Sequence, residues 1–213
     1  MPLPAAGILF MAALCGAGPV PASPETAAVM RAVYLDETLA QARYEAFDRK
    51  ALAEGYPRIA YFFRAAAASE AVHARNAKDI LARLGSPAAE GPAPVVPDAP
   101  TKKNLEAAIA GEIRIIEGIR PAYLKRIAPE RRADAISSLQ AELEVEREHL
   151  SMLKKIARAT GLFFGTVVKR FEQTPVEYHV CLSCGEIYFE APKSACPVCK
   201  APVSRYLAVP GKP

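Results

Sequence analysis

The chain has 213 residues, 51% of them hydrophobic and 23% charged, with five Cys, three His and no Trp. That supplies one medium-sized core plus a small appendage, and it excludes a disordered chain, a collagen-like repeat and a disulfide-dense mini-protein. The net charge of +4, from 27 basic and 23 acidic residues, is too balanced for a nucleic-acid binder.

In chain order, no charged side chain precedes Glu25, and Gly7–Gly18 is a short apolar run followed by Pro19-Val20-Pro21-Ala22. Spanning a bilayer takes about 20 apolar residues. Residues 1–22 therefore read as an export signal cleaved after Ala22, which predicts a periplasmic protein. Two features oppose that reading. No Lys or Arg forms the usual positive flank, and Met30 offers a later start that would leave the protein cytoplasmic. Cys15 invites lipidation, but Leu14 stands where a lipidation motif takes a small residue.

Residues 25–161 carry helical periodicity. Met30, Val33, Glu37, Ala40, Tyr44, Phe47 and Ala51 share one stripe at i+3/i+4 spacing, and Gly55-Tyr56-Pro57 ends that helix and starts the next. Residues 57–84 repeat the pattern with Ile59, Phe63, Ala66, Glu70, His73, Ala77 and Leu84. Gly85–Pro100 holds five prolines and forms neither helix nor strand. At polyproline rise these residues cover roughly 50 Å. A 28-residue helix is about 42 Å long, so the segment can cross the full length of a bundle. Thr101 is placed to cap a helix over 101–127 with Leu105, Ala108, Glu112, Ile115, Ile116 and Ile119 on its stripe, kinked at Pro121. Pro129 opens a fourth helix, 129–160, with Ile136, Leu139, Leu143, Glu146, His149 and Leu153, ended by Gly161. Two helical hairpins joined by one long crossover predict a mainly α, ferritin-like four-helix bundle.

Glu37, Glu70, Glu112 and Glu146 interrupt these apolar stripes, where an unpaired carboxylate is expensive and needs compensation. Glu37 and Glu70 lie 18 and 15 residues from Gly55, and Glu112 and Glu146 each lie 17 from Pro129. All four can therefore meet in one layer. His73 and His149 follow Glu70 and Glu146 by three positions, on the same helix faces. A Glu followed by Glu-x-x-His, found twice, is the pattern of di-iron or di-manganese carboxylate bundles, and four carboxylates balance two divalent cations. Glu142, Glu144 and Glu148 read as a solvated face. Tyr34 and Tyr44 are within reach of hydrogen bonds near the site.

After a linker, 162–176, residues 177–213 contain Cys181-x-x-Cys184 and Cys196-x-x-Cys199. Four thiolates in two such knuckles suit tetrahedral iron or zinc. Two disulfides are the rival in an oxidising compartment, although a two-residue spacer makes a strained ring and favours chelation. His179 is left as a packing or surface residue, because four cysteines complete the tetrahedron.

These residues carry a family resemblance. The chain resembles rubrerythrins over roughly residues 30–207, through Asp36-Glu37, Ala42-Arg43-Tyr44, Glu54-Gly55-Tyr56, Ser69–Ala74, Asn104-Leu105, Gly111-Glu112 and Val145–His149. The tail adds the rubredoxin-like Cys181–Gly185, Ala191-Pro192 and Cys196–Cys199. The resemblance implies a di-iron centre bridged by Glu70 and Glu146, with Glu37 and Glu112 terminal and one histidine on each iron. It also implies a mononuclear iron centre, held by the four cysteines, that passes electrons to that site for reduction of hydrogen peroxide to water, with an external reductase or small redox protein as donor. Three positions depart from the family pattern: Ile115 replaces an additional Glu, Arg120 replaces a Tyr, and Lys200 replaces a Gly. Two other functions compete, an oxygen-using ferroxidase on the same six ligands and a non-catalytic zinc-ribbon protein. Glu146 lies about 22 Å along its helix from Gly161, which predicts a homodimer in which the tail of one chain serves the bundle of the other.

Overall fold

The computed structural model describes residues 23–88, 91, 96, 99–160 and 176–211. The expected export segment with Cys15, half of the crossover and nearly all of the interdomain linker lie outside the described residues.

Helices α1 (Pro24–Ala53) and α2 (Pro57–Arg83) each begin on proline, which lacks the N–H that a first turn cannot use. The first turn of α1 is satisfied from across the bundle. The Glu130 carboxylate accepts from the backbone N–H of Glu25 at 3.0 Å and of Thr26 at 2.7 Å. Gly55, at φ 79°, makes the left-handed turn between α1 and α2. Glu54 then accepts the backbone N–H of Thr101 at 2.9 Å, so α3 (Thr101–Arg114) is capped by the side chain that follows α1. Thr101 is not the side-chain cap expected; its Oγ1 is buried without a partner.

The third bundle helix is not one kinked helix over 101–127. After α3 comes a π-helical turn, Ile115–Ile119, and then α4 (Arg120–Ile127), with Pro121 in the first turn of α4. The Arg120 N–H reaches back five residues to the Ile115 carbonyl. A π turn inserts one residue, so everything after it is rotated by about one α-helical step of ~100°. Arg120 consequently takes the inward place expected for Ile119: Arg120 is fully buried and Ile119 only half-buried. The fourth helix, α5 (Ala133–Thr160), starts four residues after Pro129, behind a 3-10 turn (Ala128–Glu130) and Arg131 at φ 51°.

The bundle core has two apolar clusters. One groups Met30, Val33, Ile80, Leu81, Ile127 and Leu139. The other groups Tyr44, Phe47, Phe62, Phe63, Leu105 and Leu153. Tyr34, half-buried, packs with the first cluster. Between the clusters lies the layer of buried carboxylates and histidines.

The Cys-rich lobe forms a three-stranded antiparallel sheet in the order β2 (Ile187–Tyr188), β1 (His179–Cys181), β3 (Tyr206–Ala208). His179 is a strand residue opposite Tyr188 and Ala208, in agreement with its reading as a packing residue. The lobe sits on α2 of its own chain. Tyr178 packs on Tyr61 at 4.9 Å between ring centroids and on Phe62 at 5.9 Å. Tyr61 donates to the Val209 carbonyl at 2.9 Å and accepts the Tyr178 N–H at 3.2 Å. Arg75 donates to the Leu182 carbonyl, and Asn76 to that of Ser183 at 2.9 Å. Helix length alone suggested a tail displaced towards a second bundle; within this chain, aromatic packing and backbone hydrogen bonds fold it back beside the carboxylate layer. No helix among the described residues is long and apolar enough to cross a membrane.

Candidate metal centres

Glu37, Glu70, His73, Glu112, Glu146 and His149 all converge in one layer, each at most 3% exposed. They form two overlapping ligand groups: Glu37, Glu70, His73 and Glu146, and Glu70, Glu112, Glu146 and His149, each with its donor atoms within 4.8 Å of one another. Glu70 and Glu146 belong to both groups, and their two oxygens are divided between the histidines. His73 Nδ1 lies 2.9 Å from Glu70 Oε2 and 3.3 Å from Glu146 Oε1. His149 Nδ1 lies 3.5 Å from Glu70 Oε1 and 3.1 Å from Glu146 Oε2. Each shared carboxylate thus presents one oxygen to each half of the site.

The unshared carboxylates are held differently. Tyr44 donates its phenol proton to Glu112 Oε1, and Arg120 donates to Glu37 Oε1 and to Glu142 Oε1. The second oxygens, Glu37 Oε2 and Glu112 Oε2, are buried with no hydrogen-bond partner. Leaving such atoms unpaired costs on the order of 1–3 kcal/mol each in a dry core, so their orientation fits a pair of cations. Tyr44 meets the expectation of a hydrogen bond at the site. Glu144 and Glu148 are exposed as expected, but Glu142 is not on a solvated face: it is 4% exposed and paired with Arg120.

The ligand side chains strongly shift one another's proton affinity. Burial opposes charge on the imidazoles, yet hydrogen bonds to Glu146 and Glu70 outweigh it and hold His73 and His149 well above the ordinary histidine value. Burial, then the charges of Glu146 and Glu70, push the Glu112 carboxyl well up. Burial would raise Glu146 too, but hydrogen bonds from both histidines overcome it and hold that carboxyl well below its usual range.

The four lobe cysteines are free thiols, and the expected alternative of two disulfides is not found. Sγ–Sγ distances are 3.7 Å for Cys181–Cys199 and 3.5 Å for Cys184–Cys196. A tetrahedron with metal–sulfur bonds of ~2.3 Å has edges of roughly 3.75 Å. The cluster is therefore already spaced for a metal. Hydrogen bonding from Cys184 draws the Cys181 thiol down to about 5, while burial pushes Cys199 up to about 11. Gly185 and Lys200, each following the second Cys of a knuckle, have φ 89° and 62°. Lys200 holds the left-handed conformation without glycine and donates from Nζ to the Pro197 carbonyl at 2.7 Å.

The two centres touch. His73 Nε2 lies 3.0 Å from the Cys184 carbonyl, and Ser69 donates to the Gly185 carbonyl at 2.7 Å. A carbonyl only accepts, so the His73 proton sits on Nε2 and, once metal displaces the second proton, its Nδ1 lone pair faces the carboxylates. Glu186, also unread in the sequence, is buried where the lobe faces α5, and burial raises its carboxyl to about 7.

Because metal must displace the protons held on His73, His149 and Glu112, binding should release them and weaken as pH falls through the raised histidine values. Titrating the metal-free protein with Co(II) in weakly buffered solution should release at least two imidazole protons beyond those released when Co(II) fills the lobe site of a Glu146→Ala, His149→Ala variant. Proton release no greater than in that variant, with the bundle site filled, would show that the histidines are not ligands.

The rubrerythrin family profile matches residues 29–157. Rubrerythrin-2 of Clostridium acetobutylicum is 24% identical over 184 residues, covering 86% of this chain and 96% of its own. Rubrerythrin of Porphyromonas gingivalis is 30% identical over 172 residues, covering 79% and 82%. The structure of mixed-valent nigerythrin superposes with a TM-score of 0.72 at 25% identity over 86% of each chain. Chlorobium tepidum ferritin, with a TM-score of 0.59 at 22% identity over 71% of this chain and 94% of its own, shares the fold. With both ligand sets in place, the chain belongs to the rubrerythrin family, as a di-iron protein with a second, cysteine-bound metal site.

Proposed function

We propose that this oxidoreductase of oxidative-stress defence is a peroxidase that reduces hydrogen peroxide to water, with electrons relayed from an iron held by the four lobe cysteines. In this reading two irons would be held by Glu37, Glu70, His73, Glu112, Glu146 and His149, with Glu70 and Glu146 common to both donor groups. Cys181, Cys184, Cys196 and Cys199 would hold the third iron. The bound iron supplies the two electrons and the Lewis acidity; the chain supplies shape, protons and contact between the centres.

The observation that carries the reading is the hydrogen bond from His73 to Cys184, 3.0 Å long. It joins the two ligand sets through one imidazole, one hydrogen bond and one cysteine. The substrate class follows from size. A cavity of about 40 Å³ beside Glu70 is lined by Ala40, Tyr44, Phe47, Ala108, Glu112 and Ile115. A void of ~10–15 Å³ accommodates one water, so this space admits a small oxidant such as hydrogen peroxide. Its apolar wall limits water, and Tyr44 holds a proton on Oη at its edge. Ile115, where the family resemblance implies a further carboxylate, favours the second reading, a ferroxidase using oxygen.

Iron analysis of the full chain should find two irons in the bundle and one in the lobe, with visible Fe–thiolate bands. The reduced protein should be oxidised much faster by hydrogen peroxide than by oxygen. Faster oxidation by oxygen selects the ferroxidase, and zinc in the lobe eliminates the relay.

Gly185 tests the contact itself. At φ 89°, an added Cβ would lie 2.6 Å from both His73 Nε2 and Ser69 Oγ. Gly185→Ala should therefore lift the lobe off α2 while both centres still load. Re-reduction of the bundle irons after one peroxide pulse should slow by at least about tenfold, since ångström-scale misplacement costs up to ~10²-fold. An unchanged rate removes the His73–Cys184 contact from the relay.

We also propose a homodimer that exchanges tails. The 15 residues between Thr160 and Val176 reach up to ~50 Å when extended, so the surfaces that meet within one chain can also meet between two. Mixing and refolding Glu146→Ala with Cys181→Ser chains should restore part of the peroxidase activity that each lacks; no recovery confines the tail to its own bundle.

A further inference from the structure

We propose that Arg120 is a positioning residue of the di-iron centre, which holds Glu37 to a single-oxygen contact and makes the two metal positions electronically unequal. The inference rests on the ligand assignment above, though not on peroxide being the oxidant.

The two terminal carboxylates have matching roles and different anchors. Each has one oxygen tied to the protein and the other buried without a hydrogen bond. The anchor on Glu112 is the neutral phenol of Tyr44, from α1. The anchor on Glu37 is a guanidinium, permanently charged and fully buried. Charge-assisted hydrogen bonds are roughly twice as strong as neutral ones, so Arg120 withdraws more electron density from Glu37 than Tyr44 withdraws from Glu112.

Glu142 makes this arrangement tolerable. An isolated cation in a dry core is costly, and Glu142, reached from α5, accepts from the same guanidinium. Arg120 therefore bridges two carboxylates, only one of which belongs to the ligand set. The π turn is the device that swings Arg120 inward, and Tyr123 covers its outer side with the ring centroid 5.8 Å from the guanidinium carbon. The consequence is directional. A weaker donor at Glu37 favours the more reduced state of the position beside His73, and His73 is the histidine bonded to Cys184. The position nearest the electron source is the one built to accept.

The test is a redox titration of the iron-loaded full chain, following the mixed-valent state by EPR. Three proteins are compared: native, Arg120→Lys, and Arg120→Leu with Glu142→Leu, which replaces the pair by apolar groups. Helical circular dichroism and iron content check the fold. In the double variant the higher of the two midpoint potentials should fall and the gap between the two should narrow. Arg120→Lys keeps the cation but cannot fork across both carboxylates, so it should retain most of the gap while altering the mixed-valent signal. Unchanged potentials and signal in a fully loaded double variant would reduce Arg120 to a packing pair and overturn the proposal. If the double variant does not hold iron, Co(II) titration of metal-free Arg120→Lys replaces it. Affinity should drop about 10–100-fold at one position, and equal loss at both overturns the inequality. Glu37→Ala separates the two layers of inference: normal iron content and potentials there would overturn the ligand assignment itself.

Discussion

Four carboxylates in a single dry layer set the terms for this molecule. Each would cost several kcal/mol if buried alone and charged, and in a bundle this size any one would be enough to threaten the fold. Neighbouring features answer that cost. Two histidines from α2 and α5 stand between the shared carboxylates. A tyrosine from α1 and an arginine from α4 each take one oxygen of a terminal carboxylate. The second oxygens of Glu37 and Glu112 stay without a hydrogen bond in the layer, where two divalent cations would neutralise four negative charges. Apolar clusters on either side, each with fully buried large side chains, keep water from doing the same work less selectively.

The cysteine lobe belongs to the same solution. His73 can offer Nδ1 to the layer only if Nε2 carries the proton, and the acceptor for that proton is a backbone carbonyl of the second metal's own ligand, Cys184. Gly185 permits the approach, because a side chain there would overlap His73 and Ser69. The glycine that a cysteine knuckle needs for its left-handed turn is therefore also the gap through which the two sites touch. Lys200, at the equivalent place in the other knuckle, keeps the same backbone turn at the modest cost of a non-glycine residue there.

The metal layer was legible in the sequence because both of its signals are local. Glu-x-x-His puts two donors on one helix face, and a carboxylate inside an apolar stripe is conspicuous whatever its partner. C-x-x-C is equally local. Arg120 and Glu142 were missed for different reasons. Glu142 sits three residues after Leu139 and four before Glu146, so its own helix's spacing already placed it on the buried face. Arg120 was hidden by a change of phase. Periodicity assumes that each helix keeps its phase, and the π turn at Ile115–Ile119 adds a residue that no pattern of apolar spacing announces. With the phase shifted, Ile119 gives its inward place to Arg120, which there meets the already buried Glu142. Pro121 was the available clue. It fixed the right neighbourhood but suggested a kink rather than an inserted residue. The seat of the lobe was illegible for a different reason: Tyr61 and Tyr178 are 117 positions apart, and their packing depends on the whole bundle being assembled.

The asymmetry between the two halves of the layer follows from that phase shift. The π turn brings position 120 inward, onto Glu37. With it, one half gains a buried cation and the other keeps a neutral phenol. The half with the cation is also the half whose histidine is tied to the cysteine lobe. The small cavity lies at the opposite half, against Tyr44, Glu112 and Ile115. The cation and the lobe contact gather beside Glu37 and His73, and the cavity lies beside Glu112. The proposed electron entry and oxidant entry would therefore lie at different ends of one ligand layer.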